Sequence, residues 1–174
     1  MKEIYLVLTH TGTMLSRIIK TYTGDEFSHI SISLNKELTE MYSFGRLNPY
    51  NPFWGGFVHE YINKGTYKRF FNTQTKVYEL GVTDEQYEKI KYGIYAFKND
   101  REKYTFNIIG LFAVGFHKVI KRKHSFYCAE FVRHVLENAN VKIDLPVPAK
   151  PEEFKNICGV KEIYKGYLRE YNFG

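Results

Sequence analysis

The sequence predicts an α+β fold in which an antiparallel sheet packs against helices. Two observations support this class. Short runs with strand-like alternation fill the first part of the chain, at Glu3–Thr9, His29–Leu34 and near Glu40–Gly45. Helical periodicity dominates later, after Thr83 and again from Cys128. Separate groups of strands and helices are typical of α+β proteins, whereas α/β proteins alternate the two along the chain.

The first half of the chain is predicted to hold a core strand and a hairpin. Glu3–Thr9 is the first core strand, and a short helix is expected at Met14–Thr21. His29–Leu34 and the strand near Glu40–Gly45 flank a turn, which predicts an antiparallel hairpin. The stretch from Arg46 to Tyr67 is rich in Asn, Pro and Gly and holds the only tryptophan, which predicts a long ordered loop.

The second half is predicted to begin with a strand at Thr75–Leu80. A capping box, Thr83-Asp84-Glu85-Gln86, then starts a helix, whose apolar face is Tyr87, Ile90, Ile94 and Phe97. A second helix begins near Cys128 and runs to about Asn140. Val141–Asp144 is expected to be a further strand.

Composition limits the classes of function. We expect residues 1–174 to form a single domain, and the formal charge is 25 − 19 = +6. The lysines are dispersed, and the densest basic run, at Lys118–Lys123, is too short to indicate a nucleic-acid surface. No apolar run reaches transmembrane length, so we expect no stable membrane insertion. The N-terminus lacks a signal-peptide layout and only two cysteines occur, which favours a cytoplasmic protein with reduced thiols, without a Cys128–Cys158 disulfide.

The cysteine helix presents one apolar face that starts with a thiol. Its members follow helical spacing: Cys128, Phe131, Val132, Val135, Leu136 and Ala139. Cys128 therefore lies at the helix N-terminus, where unpaired N–H groups and the helix dipole favour a thiolate. A cysteine on an apolar helix face is, taken alone, more typical of a core residue.

A histidine opens the second predicted strand. Alternation places His29, Ser31 and Ser33 on one face of this strand, and Ile30, Ile32 and Leu34 on the other. A thiol and an imidazole on two rigid elements are the minimum parts of nucleophilic cysteine chemistry. His59, in the predicted long loop, is the rival candidate for the base.

Three segments, taken in chain order, resemble the circularly permuted NlpC/P60 superfamily of papain-like thiol hydrolases, and its YiiX-like members most closely. They are Phe27-Ser28-His29-Ile30-Ser31-Ile32, Met41-Tyr42-Ser43-Phe44-Gly45-Arg46 and Phe126-Tyr127-Cys128-Ala129-Glu130-Phe131-Val132. The resemblance implies a papain-like core in which the histidine strand precedes the cysteine helix. It also implies Cys128 as nucleophile, His29 as general base, and a peptide, lipopeptide or acyl-lipid substrate with an amide or ester bond.

Relatives orient the histidine with a polar side chain on the following strand. An odd number of turn residues after Leu34 would pair Ser43 with His29, so Ser43 is the predicted orienting residue, with Glu40, Tyr42 and Glu60 as alternatives. The predicted substrate-binding residues are Tyr127, Tyr42 and Trp54.

The predicted function is a cysteine-dependent hydrolase, either an amidase or peptidase or an acyl hydrolase. We expect no metal and no cofactor, because no ligand spacing or phosphate-binding motif occurs. The alternative is an inactive family member that binds a ligand in the same groove. An apolar segment, Phe106–Val119, together with Trp54 and Phe57, would line such a groove, although a simple core role explains these residues as well.

Overall fold

The protein is mixed α and β, with one mostly antiparallel sheet and a few helices, as the predicted α+β class requires. The computed structural model describes residues 1–13, 16, 17, 20, 21, 24–48, 50–107 and 123–172. The strands of its main sheet are β1 (Lys2–His10), β2 (His29–Ser33), β3 (Met41–Asn48), β4 (Asn51–Glu60), β5 (Gln74–Val82) and β8 (Val160–Tyr167). This sheet is antiparallel throughout and has the strand order β4-β3-β2-β1-β5-β8.

Three α-helices and a minor sheet complete the described elements. The helices are α1 (Gly65–Arg69), α2 (Asp84–Asn99) and α3 (Cys128–Asn138), and short 3₁₀ helices span Arg101–Lys103, Pro151–Asn156 and Leu168–Glu170. The minor sheet is a parallel pair of two-residue strands, β6 (Thr105–Phe106) and β7 (Ser125–Phe126). Only Tyr127 separates β7 from α3, so the pairing of β6 with β7 positions the start of the cysteine helix.

Helix α2 begins at the predicted capping box. The Thr83 hydroxyl accepts the Gln86 N–H at 3.1 Å, and the Gln86 side-chain oxygen accepts the Thr83 N–H at 3.0 Å. Two backbone donors that the helix leaves unpaired are thereby satisfied. Ile90, Ile94 and Phe97 are buried, which confirms the predicted face.

The sheet has apolar packing on both faces. Alternate residues of β1, namely Ile4, Leu6 and Leu8, join a large cluster with the buried faces of α2 and α3. Tyr5 and Val7 point to the other face. They belong to a smaller cluster there, with Leu38, Met41, Tyr67, Val77 and Leu168. The smaller cluster also covers the polar face of β2, so Ser31 and Ser33 are buried.

The predicted long loop at residues 46–67 is wrong, because most of it forms β4 and α1. Strand β4 pairs with β3, and Gly55 and Gly56 lie opposite Arg46 and Gly45. A Cβ atom on Gly55 would lie 2.7 Å from the Gly45 carbonyl oxygen and 2.8 Å from the Phe106 Cβ. The glycine therefore permits close packing in a strand and does not form a turn.

The C-terminal strand prediction is also wrong. Val141–Asp144 forms no strand, and the last strand is β8, at the edge of the sheet beside β5. Lys161, Glu162 and Lys165 are exposed on β8. Charged residues are common on edge strands, where they discourage pairing with other chains. They interrupt the alternation that would otherwise have indicated a strand.

Two predicted segments lie wholly or partly outside the described residues. Half of the helix expected at Met14–Thr21 does so, and its described residues, 16, 17, 20 and 21, are helical. Residues 108–122, which include most of the apolar segment and of the basic run, also lie outside. Among the helices that the structure describes, none has the length and apolar character needed to cross a membrane.

Gly55→Ala should lower the free energy of unfolding by about 1–3 kcal/mol, because the added methyl group overpacks the contact between β4, Gly45 and Phe106. Gly81→Ala is the matched control, since a Cβ atom on Gly81 in β5 meets nothing within 4 Å. The control should be neutral or gain up to about 1 kcal/mol. Urea unfolding of both variants measures the difference, and equal stabilities would contradict the packing assigned to β4.

Candidate active site

The first residue of helix α3 is Cys128, and its side chain is buried, with only 2% exposed. The predicted apolar face is confirmed, because Phe131, Val132, Val135, Leu136 and Ala139 are also buried. Tyr127 is the N-cap residue in an extended conformation and supplies no side-chain cap. The N–H groups of the first turn, which a helix cannot pair internally, therefore lie next to the thiol without a side-chain cap.

His29 is the first residue of β2, and its imidazole contacts both Cys128 and Glu60. Its Nε2 atom lies 3.0 Å from Glu60 Oε1, and the ring lines the same small cleft as the Cys128 thiol, which raises the pKa of His29 through its hydrogen bond and charge. The His29 side chain is 22% exposed and that of Glu60 is 11% exposed. The three side chains are therefore linked in series, from thiol to imidazole to carboxylate.

Glu60 ends strand β4, and both of its oxygens accept hydrogen bonds. Oε1 faces His29, while Oε2 accepts the hydroxyls of Ser31 and, at 3.3 Å, Tyr67. Tyr67 also pairs with Thr9 Oγ1 at 3.2 Å. Burial and the charge of Glu60 raise the pKa of Tyr67 well above its usual value, so this phenol stays a donor. A half-buried carboxylate held by several donors keeps one orientation.

The pKa of His29 is raised to about 10. Burial alone would lower the pKa of His29. The charge of Glu60, the hydrogen bond and charge of Cys128, and the hydrogen bond to Glu60 raise it and outweigh burial. The imidazole is therefore held as an imidazolium at neutral pH.

The structure does not bring Ser43 to His29, so the prediction that places Ser43 beside the ring is wrong; of the candidate orienting residues, Glu60 is the one that contacts it. The pairs Ile32–Tyr42 and Ser33–Met41 set a register that places Gly45, and not Ser43, opposite His29. The Ser43 hydroxyl instead donates to the Ile30 carbonyl at 2.7 Å and is buried. A Cβ atom on Gly45 would lie 3.3 Å from His29 Cε1, so this glycine leaves room for the imidazole.

The register differs from the prediction because the loop between β2 and β3 is longer than a tight turn. The Asn35 side-chain oxygen accepts the N–H groups of Thr39 and Glu40 at 3.1 and 3.0 Å. Leu38 adopts a positive φ of 55° within this loop. Such a closed loop shifts the pairing by two residues, which moves Ser43 away from His29 without changing its face.

The remaining alternatives lie elsewhere. Glu40 accepts the Tyr95 hydroxyl at 3.0 Å. Tyr42 is buried and stacks on Phe57 and His59. The His59 Nε2 atom lies 2.8 Å from the Thr39 carbonyl oxygen, and His59 occupies the opposite face of β4 from Glu60. Alternation within residues 51–60 would have separated these two side chains, had the segment been interpreted as a strand.

A cleft surrounds the linked side chains. It has a volume of about 60 Å³, so it has room for little beyond the side chains that line it. Its lining includes Cys128, His29, Glu60, Arg46, Tyr67 and Phe106.

The predicted substrate-binding residues are not in this lining. Tyr127 is buried and donates to the Ala149 carbonyl at 3.3 Å. Tyr42 lies in the core, and Trp54 is 60% exposed. Arg46 does line the cleft, and no pattern in the sequence marks it as a functional residue.

Both cysteines are free thiols; Cys128 is buried and Cys158 is exposed. Within the described ranges, no group of three or more His, Cys, Asp or Glu residues is arranged to hold a metal ion. The chemistry that these side chains can support is nucleophilic attack by sulfur, assisted by a fixed imidazole.

No family model matches the chain, and no curated protein matches it significantly.

Glu60→Gln should lower the pKa of His29, because it removes the charge that opposes the effect of burial. Since the folded pKa is raised, this ion pair stabilises the fold fully below about pH 6.5. The contribution is lost as pH rises toward about 10. NMR titration of the His29 ring and the pH dependence of unfolding measure both effects.

Ser43→Ala is the control for this experiment. Removing the bond to Ile30 should cost about 1 kcal/mol of stability and leave the His29 titration unchanged. A pKa of His29 that follows Ser43 and ignores Glu60 would contradict the assignment of the orienting residue.

Proposed function

We propose that the protein is a cysteine-dependent hydrolase that cleaves an amide or ester bond through an acyl-thioester. The observation that supports this most is the contact of His29 with both Cys128 and Glu60. A nucleophile within reach of a base, which a third group orients, is the signature of covalent catalysis by thiols.

The catalytic cycle begins with the Cys128 thiolate and the His29 imidazolium. The sulfur attacks the carbonyl carbon of the substrate, and the carbonyl oxygen becomes an oxyanion. The N–H groups of the first turn of α3, which begins at Cys128, are donors for this charge. His29 then donates its proton to the departing nitrogen or oxygen, and the acyl-thioester forms.

Hydrolysis of the thioester uses the same groups in reverse. His29, now neutral, takes a proton from water as the water oxygen attacks the thioester carbonyl. The C–S bond breaks, and the carboxylic acid product leaves. Glu60 orients the ring and stabilises the imidazolium, which is the role of a carboxylate in such triads.

We further propose that the chain belongs to the circularly permuted NlpC/P60 superfamily. The chain order, with the histidine strand β2 before the cysteine helix α3, supports this assignment, as does an antiparallel sheet covered by α3. One departure concerns the orienting residue: relatives supply it from the strand after the histidine strand, whereas Glu60 lies one strand further, on β4. The cytoplasmic location stays a prediction from the sequence.

A ligand-binding protein without catalysis was the alternative function. Its main support was the lack of a strong orienting residue in the sequence. Glu60 removes that support, because its carboxylate lies 3.0 Å from the His29 ring. A peptide, lipopeptide or acyl-lipid substrate remains the proposed class.

The proposed chemistry predicts an acyl-enzyme on Cys128. With 4-nitrophenyl acetate as the probe and Cys158→Ser as the background, the protein should release nitrophenol in a burst and gain one acetyl group by intact mass. Cys128→Ala should abolish the acetylation, and His29→Ala should slow it at least about a hundredfold, the usual effect of losing a general base.

His59→Ala is the matched histidine control and should keep full reactivity, because His59 faces away from the cleft. Circular dichroism verifies that each variant is folded. Loss of acetylation in His59→Ala with normal acetylation in His29→Ala would contradict the proposed base.

A further inference from the structure

Arg46 brings a positive charge into the cleft that holds Cys128 and His29. It follows Gly45 on β3, and its side chain reaches the segment after β1. There its Nη2 atom donates to Thr13 Oγ1 at 3.0 Å and to Thr11 Oγ1 at 3.4 Å. The side chain is only half-buried, so its remaining donors are accessible from the cleft.

Arg46 has no ion-pair partner among the described residues. The described residues include every Asp and Glu side chain of the sequence, and none of them forms an ion pair with Arg46. Glu60 is close enough for its charge to affect Arg46, but its oxygens accept from His29, Ser31 and Tyr67. The partners of Arg46 among the described residues are therefore the two neutral hydroxyls and the Phe70 ring, whose centre lies 5.4 Å from the guanidinium carbon.

Burial makes this arrangement costly in the absence of a ligand. It lowers the pKa of Arg46 from its usual value, which shows that the surroundings disfavour the charge, although an arginine stays ionised. A partly desolvated charge that has no ion-pair partner contributes most to the free energy of binding when an anion binds to it. The guanidinium also holds an edge, Nε and Nη1, that makes no hydrogen bond to the described residues.

Arg46 also stands where two clefts meet. The second cleft has a volume of about 300 Å³ and shares Arg46, Glu60, Thr66 and Tyr67 with the first. It adds Lys64, whose Nζ atom lies 4.8 Å from the centre of the Tyr61 ring and makes no ion pair with the acidic side chains of the described residues. A substrate that extends from Cys128 along this path meets two cations.

We propose that Arg46 binds an anionic oxygen group of the substrate, a carboxylate or a phosphate, next to the bond that is cleaved. A guanidinium offers parallel N–H donors that match either group. This assignment rests on the proposed function, because it names the substrate class of the same cleft. Neutral amides and esters would then be poorer substrates than anionic ones.

Two alkylating probes of nearly equal size test the proposal without a known substrate. Iodoacetate carries a carboxylate where iodoacetamide carries a neutral amide, and each is attacked by sulfur with loss of iodide. All variants carry Cys158→Ser, and the measured quantity is the rate constant of iodoacetate at Cys128 divided by that of iodoacetamide. This ratio should fall about tenfold in Arg46→Gln, as expected for one lost hydrogen bond to a charged group.

Arg46→Lys keeps the charge and should retain part of the ratio. Lys161→Gln removes one positive charge from β8, the sheet edge opposite β3 and β4, and should leave the ratio unchanged. Equal ratios in the parent and Arg46→Gln would overturn the proposal, and so would an equal fall in Lys161→Gln, which would indicate a general effect of net charge. Circular dichroism verifies that Arg46→Gln is folded.

Competing anions distinguish the two groups. Inorganic phosphate and acetate are compared as inhibitors of iodoacetate alkylation at equal ionic strength. If phosphate inhibits more strongly than acetate, and only when Arg46 is present, the substrate carries a phosphate. The reverse indicates a carboxylate. Failure of the proposed function is separable, because it would appear as an iodoacetamide rate that ignores His29, whereas the Arg46 proposal depends only on the ratio.

Discussion

The buried carboxylate of Glu60 is the interaction on which the cleft depends. It fixes the His29 ring at 3.0 Å and is itself held by Ser31 and Tyr67. Each partner comes from a different element, since Ser31 lies in β2, Tyr67 in α1 and Glu60 in β4. Without the imidazolium and these two donors, the charge of Glu60 would be expensive to bury. The hydrogen bond from Tyr67 to Glu60 therefore connects α1 to the sheet, and the charge of Glu60 favours the protonated form of His29.

The two faces of the sheet pack against different groups of side chains. The face with Ile30 and Ile32 packs against α2 and α3, which brings Cys128 to the end of β2. The opposite face holds the polar side chains of β2 and is closed by Tyr67 and its neighbours. His29 is the first residue of β2 and lies at the edge of both packed layers. This position lets one imidazole contact a thiol from one layer and a carboxylate from the other.

Sequence patterns predicted the local elements well and the long-range ones less well. The faces of α2, α3 and β2 follow from periodicity within a few residues, and so the candidates Cys128 and His29 were accessible. Glu60 was not accessible in the same way, because its position depends on the strand register and on β4. The glycines of β4 made that segment resemble a loop. Gly55 suggested a loop, whereas it allows close contact with Gly45 and Phe106. Arg46 gave no signal, because its isolation from acidic residues is a property of the folded chain.

The central claim is that Cys128 and His29 react as one pair. The most direct test is the rate of iodoacetamide alkylation of Cys128 at about pH 6 in the Cys158→Ser background, with and without His29→Ala. An ordinary thiol, with a pKa of about 8.5, is almost entirely protonated there and reacts slowly. We predict fast alkylation that His29→Ala slows to the rate of an ordinary thiol. Slow alkylation in the parent, unchanged by His29→Ala, would contradict the pair and with it the proposed hydrolase.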